Sequence, residues 1–242
     1  MRVTRFYFKD SLETGSIVKL NHDLNHYVVR VLRLRPSDRI KLFNNSEGEF
    51  LGTIVSIEKD GISVSVDQQI RTPSEDSVRF HIVLSITKGE RMDYAIQKSV
   101  ELGVTSITPL YSQFSEVKIK SESHLENRLR HWDKIILNAS QQCGRLSLPQ
   151  VRGPRNLPEL IAESKDSTFV LLDASGSKKL NEVSFTRDLY LLVGPEGGFS
   201  DEELMYAREK TEIVSLGPRT LRSETAPVVA LSILQSTFGD LF

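Results

Sequence analysis

Hydrophobic periodicity changes once along these 242 residues, near residue 73, and any fold must satisfy both parts. Before the change, apolar and β-branched residues come in short runs at 3–8, 16–20, 39–43, 50–57 and 62–66. The last run alternates Ile62, Val64 and Val66 with Ser63 and Ser65, the two-residue period of a half-buried strand. Asn44-Asn45-Ser46-Glu47-Gly48 and Asp60-Gly61 supply the turns, and this spacing predicts a small barrel. One helix interrupts it, with Asn21 as N-cap and Leu24, Tyr27, Val28, Val31 and Leu32 at helical spacing, so that Arg30 and Arg33 project from a neighbouring face.

A polar, proline-bearing stretch, 68–77, then reads as a linker, which places domains at 1–72 and 73–242. Beyond it strands and helices alternate. A strand at 80–86 is followed by a helix at 90–102 with Gly103 as C-cap, and a strand at 106–110 by a helix opened by Ser123 and Glu126. Leu125, Leu129, Trp132, Ile136 and Ala139 keep the helical period along that second helix. Further strands at 169–173, 190–193 and 213–216 complete a pattern that predicts a parallel sheet with helices on both faces.

Composition narrows the class. With 39% hydrophobic and 26% charged residues the chain is an ordinary folded one, which excludes disorder, collagen-like repeats and a disulfide scaffold. No apolar run approaches the roughly 18 residues of a membrane span. Arg2, Arg5, Lys9 and Asp10 around Phe6-Tyr7-Phe8 leave no secretory h-region, so the expected compartment is the cytoplasm. The single cysteine, Cys143, agrees with a reducing compartment and reads as a helix-terminal packing residue. His22, His26, His81, His124 and His131 lie at no ligand spacing beside carboxylates or cysteine, and no metal is expected.

The net charge of -1 conceals two basic stretches. Lys19, Arg30, Arg33, Arg35, Arg39 and Lys41 face only Asp23 and Asp38, with His22 and His26 among them. Arg128, Arg130, Lys134, Arg145, Arg152 and Arg155 face only Asp133. Each alone is compatible with a solvated surface; together they suit RNA phosphate. Aromatic residues are scarce beside them, which favours phosphate and shape contacts over base stacking.

Ligands of parallel sheets bind at loops after strand carboxyl ends, and two such loops have unusual composition. One is Gly194-Pro195-Glu196-Gly197-Gly198-Phe199, followed by the capping pair Ser200 and Glu203. The other runs from Gly217-Pro218-Arg219-Thr220-Leu221-Arg222 through Ser223-Glu224-Thr225-Ala226-Pro227 into the final helix. Neither has Walker or dinucleotide spacing, which argues against nucleoside triphosphates and nicotinamide cofactors.

These two loops resemble the signature of the ribosomal RNA small subunit methyltransferase E family. His26 with Arg30-Val31-Leu32-Arg33 is similar to its N-terminal motif, Arg91-Met92-Asp93 with Gln97-Lys98-Ser99-Val100-Glu101-Leu102-Gly103-Val104 to its central one, and Gln142-Cys143-Gly144-Arg145 with Pro149 to a third. The likeness covers essentially the whole chain. It implies a PUA-like β-barrel followed by a SPOUT α/β methyltransferase domain with a C-terminal trefoil knot, and a homodimer. Val228, Val229, Ala230, Leu231, Ile233, Leu234 and Phe238 put apolar residues on most faces of the final helix, as burial on more than one side requires. The implied reaction is methylation of uridine N3 in 16S ribosomal RNA of the small subunit, with S-adenosylmethionine as cofactor.

Carried over position by position, Leu172, Gly194, Pro195, Glu196, Gly197, Gly198, Leu216, Gly217, Leu221, Arg222 and Ala226 are expected at the cofactor, and Arg5, His26, Arg30, Arg33 and Arg145 at the RNA. Uracil N3 carries a proton near neutral pH that must be removed. Glu224 is suited to accept it and Arg222 to stabilise charge developing on the uracil oxygens. The alternative is that Glu224 caps the last helix while Arg222 pairs with it or with phosphate. Cys143 is not needed for attack on a nitrogen nucleophile. The chain departs from the family pattern at Ser115-Glu116-Val117, Gln141, Ser37-Asp38 and Asn44-Asn45, which touches RNA contacts more than methyl transfer. A non-catalytic assembly protein with a decayed methyltransferase domain would fail to bind S-adenosylmethionine; an enzyme of a phosphorylated small substrate would leave both basic stretches unexplained.

Overall fold

The structure, a computed structural model, describes residues 3–73 and 77–241, apart from the side chain of Asp23. Arg2 and the linker residues Ser74, Glu75 and Asp76 lie outside the described residues. The chain divides into two units, Met1–Glu75 with Ser140–Leu148, and Asp76–Ala139 with Pro149–Phe242.

The first unit is a five-stranded sheet. Strands β1 (Arg5–Tyr7), β2 (Ile17–Asn21), β3 (Arg39–Asn44), β4 (Gly48–Glu58) and β5 (Gly61–Arg71) lie in the order β1-β3-β4-β5-β2. Only the β1–β3 pair is parallel. Irregularities along the β4–β5 ladder bend these two long strands. Ile62, Val64 and Val66 are fully buried while Ser63 and Ser65 are half-buried, as their alternation predicts.

The expected α-helix after β2 does not form as such. Asn21 is the last residue of β2, His22–Leu24 make a 3-10 turn, and Tyr27–Val31 make a π-helical turn with no side-chain cap. Only Val28 of that turn is buried; Tyr27 and Val31 face solvent. The wider π turn moves alternate residues off the face that a 3.6-residue period assigns to them.

Arg5, expected at RNA, is instead an interior residue of this unit. Its side chain is 9% exposed and is paired with Glu49, itself 1% exposed. Its terminal nitrogens donate to the carbonyls of Ser140 (2.9 Å), Gln141 (3.2 Å) and Arg145 (2.9 Å), and its guanidinium stacks on Phe43. Both terminal nitrogens thus donate to carbonyls near the end of one helix, where carbonyls lack intrahelical partners. Arg5→Met strands a buried carboxylate whose remaining partner is the half-exposed Lys41. The expected loss is about 3 kcal/mol in denaturant unfolding of the full chain.

In the second unit strands β6 (Arg79–Ser85), β7 (Ser106–Leu110), β8 (Gln150–Val151), β9 (Thr168–Leu172), β10 (Asp188–Val193) and β11 (Glu212–Val214) form one parallel sheet, ordered β11-β9-β10-β6-β7-β8. Helices α1 (Gly89–Glu101), α2 (Glu122–Cys143) and α5 (Ala226–Phe238) contribute to the core that holds Leu189, Leu191 and Val193. Helices α3 (Leu157–Glu163) and α4 (Asp201–Lys210) contribute to the one that holds Tyr190 and Leu192. Successive residues of β10 therefore enter opposite cores, the arrangement of a sheet covered on both sides.

Capping follows the sequence at α4, where Ser200 and Glu203 make a reciprocal box. It shifts at α2, which starts at Glu122: Ser121 Oγ accepts from the His124 amide (3.2 Å), two residues before the expected cap. The short β8 and the Asn156-capped α3 lie in a segment where no periodic pattern was readable. Cys143 is exposed at the end of α2, so it is not a packing residue. Among the described residues no helix is long and apolar enough to cross a membrane.

At the amino-terminal end of the sheet a polar network is built around β6 and β10. His81 Nε2 meets Asp188 Oδ1 (2.8 Å) and its Nδ1 meets Ser106 Oγ (2.7 Å), while Arg79 donates to Asp188 Oδ2 (2.6 Å). The His81 ring stacks on Tyr190, whose hydroxyl accepts from Arg152 (3.0 Å). Burial holds the imidazole below its ordinary value of 6.5, outweighing the Asp188 contact that favours the cation. At Asp188 burial is outweighed by the contacts with Arg79 and His81, which leave it below the ordinary 3.8. Unfolded histidine protonates at about 6.5 whereas the folded one resists, so stability falls as pH drops below that value; Asp188 adds its own loss only below about pH 4. Chemical denaturation between pH 7 and pH 5 is expected to show this decline, and His81→Gln to flatten it.

Candidate active site

Three adjacent strands, β9, β10 and β11, end side by side, and the loops after them close on one cavity of about 350 Å3. That volume lies within the range of small-molecule sites. Leu172, Asp173 and Ala174 come from the first loop, Val193, Gly194, Pro195, Glu196, Gly198 and Phe199 from the second. Ser215, Leu216, Gly217, Arg219, Thr220, Leu221, Arg222, Ser223 and Ala226 come from the third.

Two glycines give these loops their shape. The Gly198 amide donates to the Pro195 carbonyl (2.9 Å), closing a turn over Glu196 and Gly197, and Gly198 itself leaves that turn in the left-handed region with φ +71°. Gly217 has φ +108° and turns the chain after β11, with open space where a Cβ would stand. The cavity wall is consequently backbone and small or aliphatic side chains, with Glu196, Asp173, Arg219 and Arg222 as charged groups at it.

Of the eleven residues expected at a cofactor, ten line this cavity. Gly197 does not: a Cβ there would stand 3.2 Å from Cβ of Phe114, so it faces the segment after β7 instead. Its composition signalled close approach, but not by what. The cavity is also lined by Asp173, Ala174, Val193, Phe199, Ser215, Arg219, Thr220 and Ser223, which the expected cofactor set does not include although Phe199, Arg219, Thr220 and Ser223 lie in the two glycine-bearing loops. Asp173 follows β9 by one residue, a position that the strand-end rule flags without any glycine signal.

Arg222 lines the cavity with its side chain 79% exposed, and its Nη1 is 3.9 Å from Glu224 Oε1, a loose pairing. Glu224 is not among the lining residues, and its side chain is 16% exposed. The N-cap of α5 is Thr225, which makes no side-chain capping bond, so the turn into the helix is closed by backbone bonds from Thr225 and Ala226 to the Arg222 carbonyl. Ser223 Oγ reaches both Glu196 Oε1 (3.0 Å) and Glu224 Oε2 (3.2 Å). Arg91, at the start of α1, pairs with Glu196 and so ties the first glycine loop to a neighbouring helix. Burial raises the Glu196 carboxyl, but hydrogen bonds from its own backbone, Arg91 and Ser223, with the charge of Arg91, hold it below the ordinary 4.5.

In the first unit His26, Arg30 and Arg33 are exposed, and Arg33 has a left-handed backbone with φ +57°. Exposed Tyr27, Val29 and Val31 stand among them, an aromatic and apolar element of which helical spacing places Tyr27 and Val31 on the apolar face. Arg145 is half-buried, with Nη2 near Ser147 Oγ (3.4 Å) and its carbonyl taken by Arg5. Among the described residues no group of His, Cys, Asp and Glu could hold a metal ion.

A parallel sheet whose strand-end loops make one cavity has the arrangement of an α/β enzyme that binds a small molecule, and the comparisons with known proteins give the class. A family model described as RNA methyltransferase domain matches residues 74–235, and one described as RNA methyltransferase PUA domain matches residues 23–67. Ribosomal RNA small subunit methyltransferase E of Buchnera aphidicola subsp. Schizaphis graminum is 33% identical, over 99% of this chain and 98% of that one. The same enzyme from Neisseria gonorrhoeae, solved bound to S-adenosyl methionine, is 31% identical with a TM-score of 0.91 over 100% of both chains. A methyltransferase of Legionella pneumophila, solved with bound SAM, is 35% identical with a TM-score of 0.91 over 98% of each chain. The chain belongs to the ribosomal RNA small subunit methyltransferase E family.

The Arg91–Glu196 pair, with side chains 42% and 32% exposed, sits in solvent-screened surroundings. Arg91→Ala is expected to change unfolding free energy by less than about 1 kcal/mol in denaturant titration, which separates its effect on activity from any effect on folding.

Proposed function

We propose that this protein transfers the methyl group of S-adenosylmethionine to N3 of a specific uridine in 16S ribosomal RNA, acting on the small ribosomal subunit in the cytoplasm. The observation that carries this reading is the convergence of the loops after β9, β10 and β11 on one cavity with backbone and aliphatic walls. S-adenosylmethionine fits that chemistry. Its adenine and methionine parts call for flat apolar contact against backbone, which Leu172, Gly194, Gly198, Leu216, Gly217, Leu221 and Ala226 offer, and Asp173 and Glu196 offer carboxylates to its positive groups. When bound, it supplies a sulfonium methyl that needs no further activation.

The remaining task falls to the chain. It must orient N3 and remove its proton. Glu224 is the base in this reading: its side chain is shielded from solvent, and no capping role uses it up. Arg222, exposed and beside it, stabilises charge on the uracil oxygens or holds a neighbouring phosphate. The first unit is the RNA-holding PUA-like module, with His26, Arg30 and Arg33 on the phosphates. Strand order supports a knotted carboxyl-terminal part, since β10 enters between β9 and β6 after β9 has formed on the far side. The half-exposed Val228, Val229 and Ile233 of α5 support a homodimer, as apolar groups that one chain leaves partly uncovered.

The test is transfer of labelled methyl to small subunits and to naked 16S RNA lacking the modification, with nucleoside mass spectrometry of the product. 3-Methyluridine is the expected product, with subunits the better substrate. Glu224→Gln is expected to slow transfer about a hundredfold or more at neutral pH. Full turnover of that variant at neutral and acidic pH would remove Glu224 from the base role.

A further inference from the structure

One hydroxyl stands between two carboxylates, of which Glu196 lines the cavity and Glu224 does not. Ser223 Oγ lies 3.0 Å from Glu196 Oε1 and 3.2 Å from Glu224 Oε2. A serine hydroxyl carries a single hydrogen and an ionised carboxylate has none to give. With both glutamates charged, only one of the two contacts is a hydrogen bond at any moment. Once either glutamate takes up a proton, both contacts are satisfied, because the acid donates to Oγ and Oγ donates onward to the other carboxylate.

The two carboxylates differ in a way that gives this chain a direction. Glu224 is the more shielded, with its side chain 16% exposed, and Glu196 the more open, at 32%. Glu196 is also the one held ionised by its backbone, Arg91 and Ser223. The other charged groups around the pair are Arg91 from α1, Glu116 from the segment after β7, Asp173 from the loop after β9, and Arg219 and Arg222 from the loop that carries Ser223.

We propose that Ser223 relays the proton taken from uridine N3, passing it from Glu224 to Glu196 and so to solvent. This rests on the base role of Glu224. The N3–H bond breaks as a Glu224 O–H bond forms. That O–H bond then breaks as Ser223 Oγ gains the proton, while the original hydroxyl hydrogen of Ser223 passes to Glu196. Glu196 releases it to water, and rotation of the hydroxyl restores the starting state. No other reactant is consumed. Ser223 is a positioning and relay residue, and Arg91 acts through Glu196 by keeping it a ready proton donor to water.

The experiment compares Ser223→Ala, Ser223→Thr and Glu224→Gln in single-turnover methyl transfer to small subunits lacking the modification, from neutral to alkaline pH, with S-adenosylmethionine affinity measured by calorimetry. Ser223→Ala is expected to be about tenfold slower at neutral pH and to recover towards the wild-type rate in alkali, where the imide ionises unaided. Ser223→Thr, which keeps the hydroxyl, is expected to stay near the wild-type rate, and cofactor affinity to be unchanged in both. A full-rate Ser223→Ala beside an inactive Glu224→Gln overturns the relay and leaves the base in place. A Ser223→Ala defect that persists in alkali, or that comes with lost cofactor affinity, means a purely structural serine and also overturns it. A full-rate Glu224→Gln removes the base, and the relay with it.

Discussion

Strand β10 is the member on which the second unit depends. It is hydrogen-bonded on both edges, to β9 and to β6, so its main chain from Leu189 to Val193 is paired on both sides. Leu189, Leu191 and Val193 enter one core while Tyr190 and Leu192 enter the other. A strand so constrained has no freedom of register, because a shift by one residue would exchange the two cores. The glycine loop that follows therefore leaves the sheet at a fixed point, beside the ends of β9 and β11, and the cavity inherits its shape from that fixity.

Much of this was readable from residues because the signals are local. The alternation of Ile62, Val64 and Val66, the capping pair Ser200 and Glu203, and the glycine loops at 194–198 and 217–226 each carry their structure within a few positions. What was not readable depends on partners distant in sequence. Gly197 faces Phe114, more than eighty residues away, and nothing beside Gly197 names that neighbour. Tyr27 and Val31 obeyed a helical period, yet the turn is π-helical and leaves both in solvent. Their exposure also alters the expectation for RNA: an aromatic ring stands among His26, Arg30 and Arg33, so stacking is available there alongside phosphate contact.

Charge illustrates the same limit. Arg5 and Arg30 are chemically identical in a sequence, and both belong to basic surroundings. One is exposed, the other is held by Glu49 and by three carbonyls. The difference follows from topology: Arg5 lies opposite Lys41 on β3, and on the next strand Glu49, opposite Phe43, is within reach of both as a buried acid. A buried arginine bound at all three nitrogens is a structural element, and removing it costs far more than loss of a surface charge.

The three carbonyls that hold Arg5 belong to Ser140, Gln141 and Arg145, and the Tyr7 amide is bound by the Gln141 side chain (3.0 Å). Arg71 likewise donates to Gly144 (2.7 Å), and Leu148 to Asn45 (2.9 Å). Covalent order and structural membership thus disagree: a nine-residue insert from the middle of the chain completes a unit whose strands all precede residue 73. The first unit is not a bead that can be cut from a string at the linker. Gene fusions, truncations or exchanges of this module between relatives retain it intact only if they carry the 140–148 segment with it.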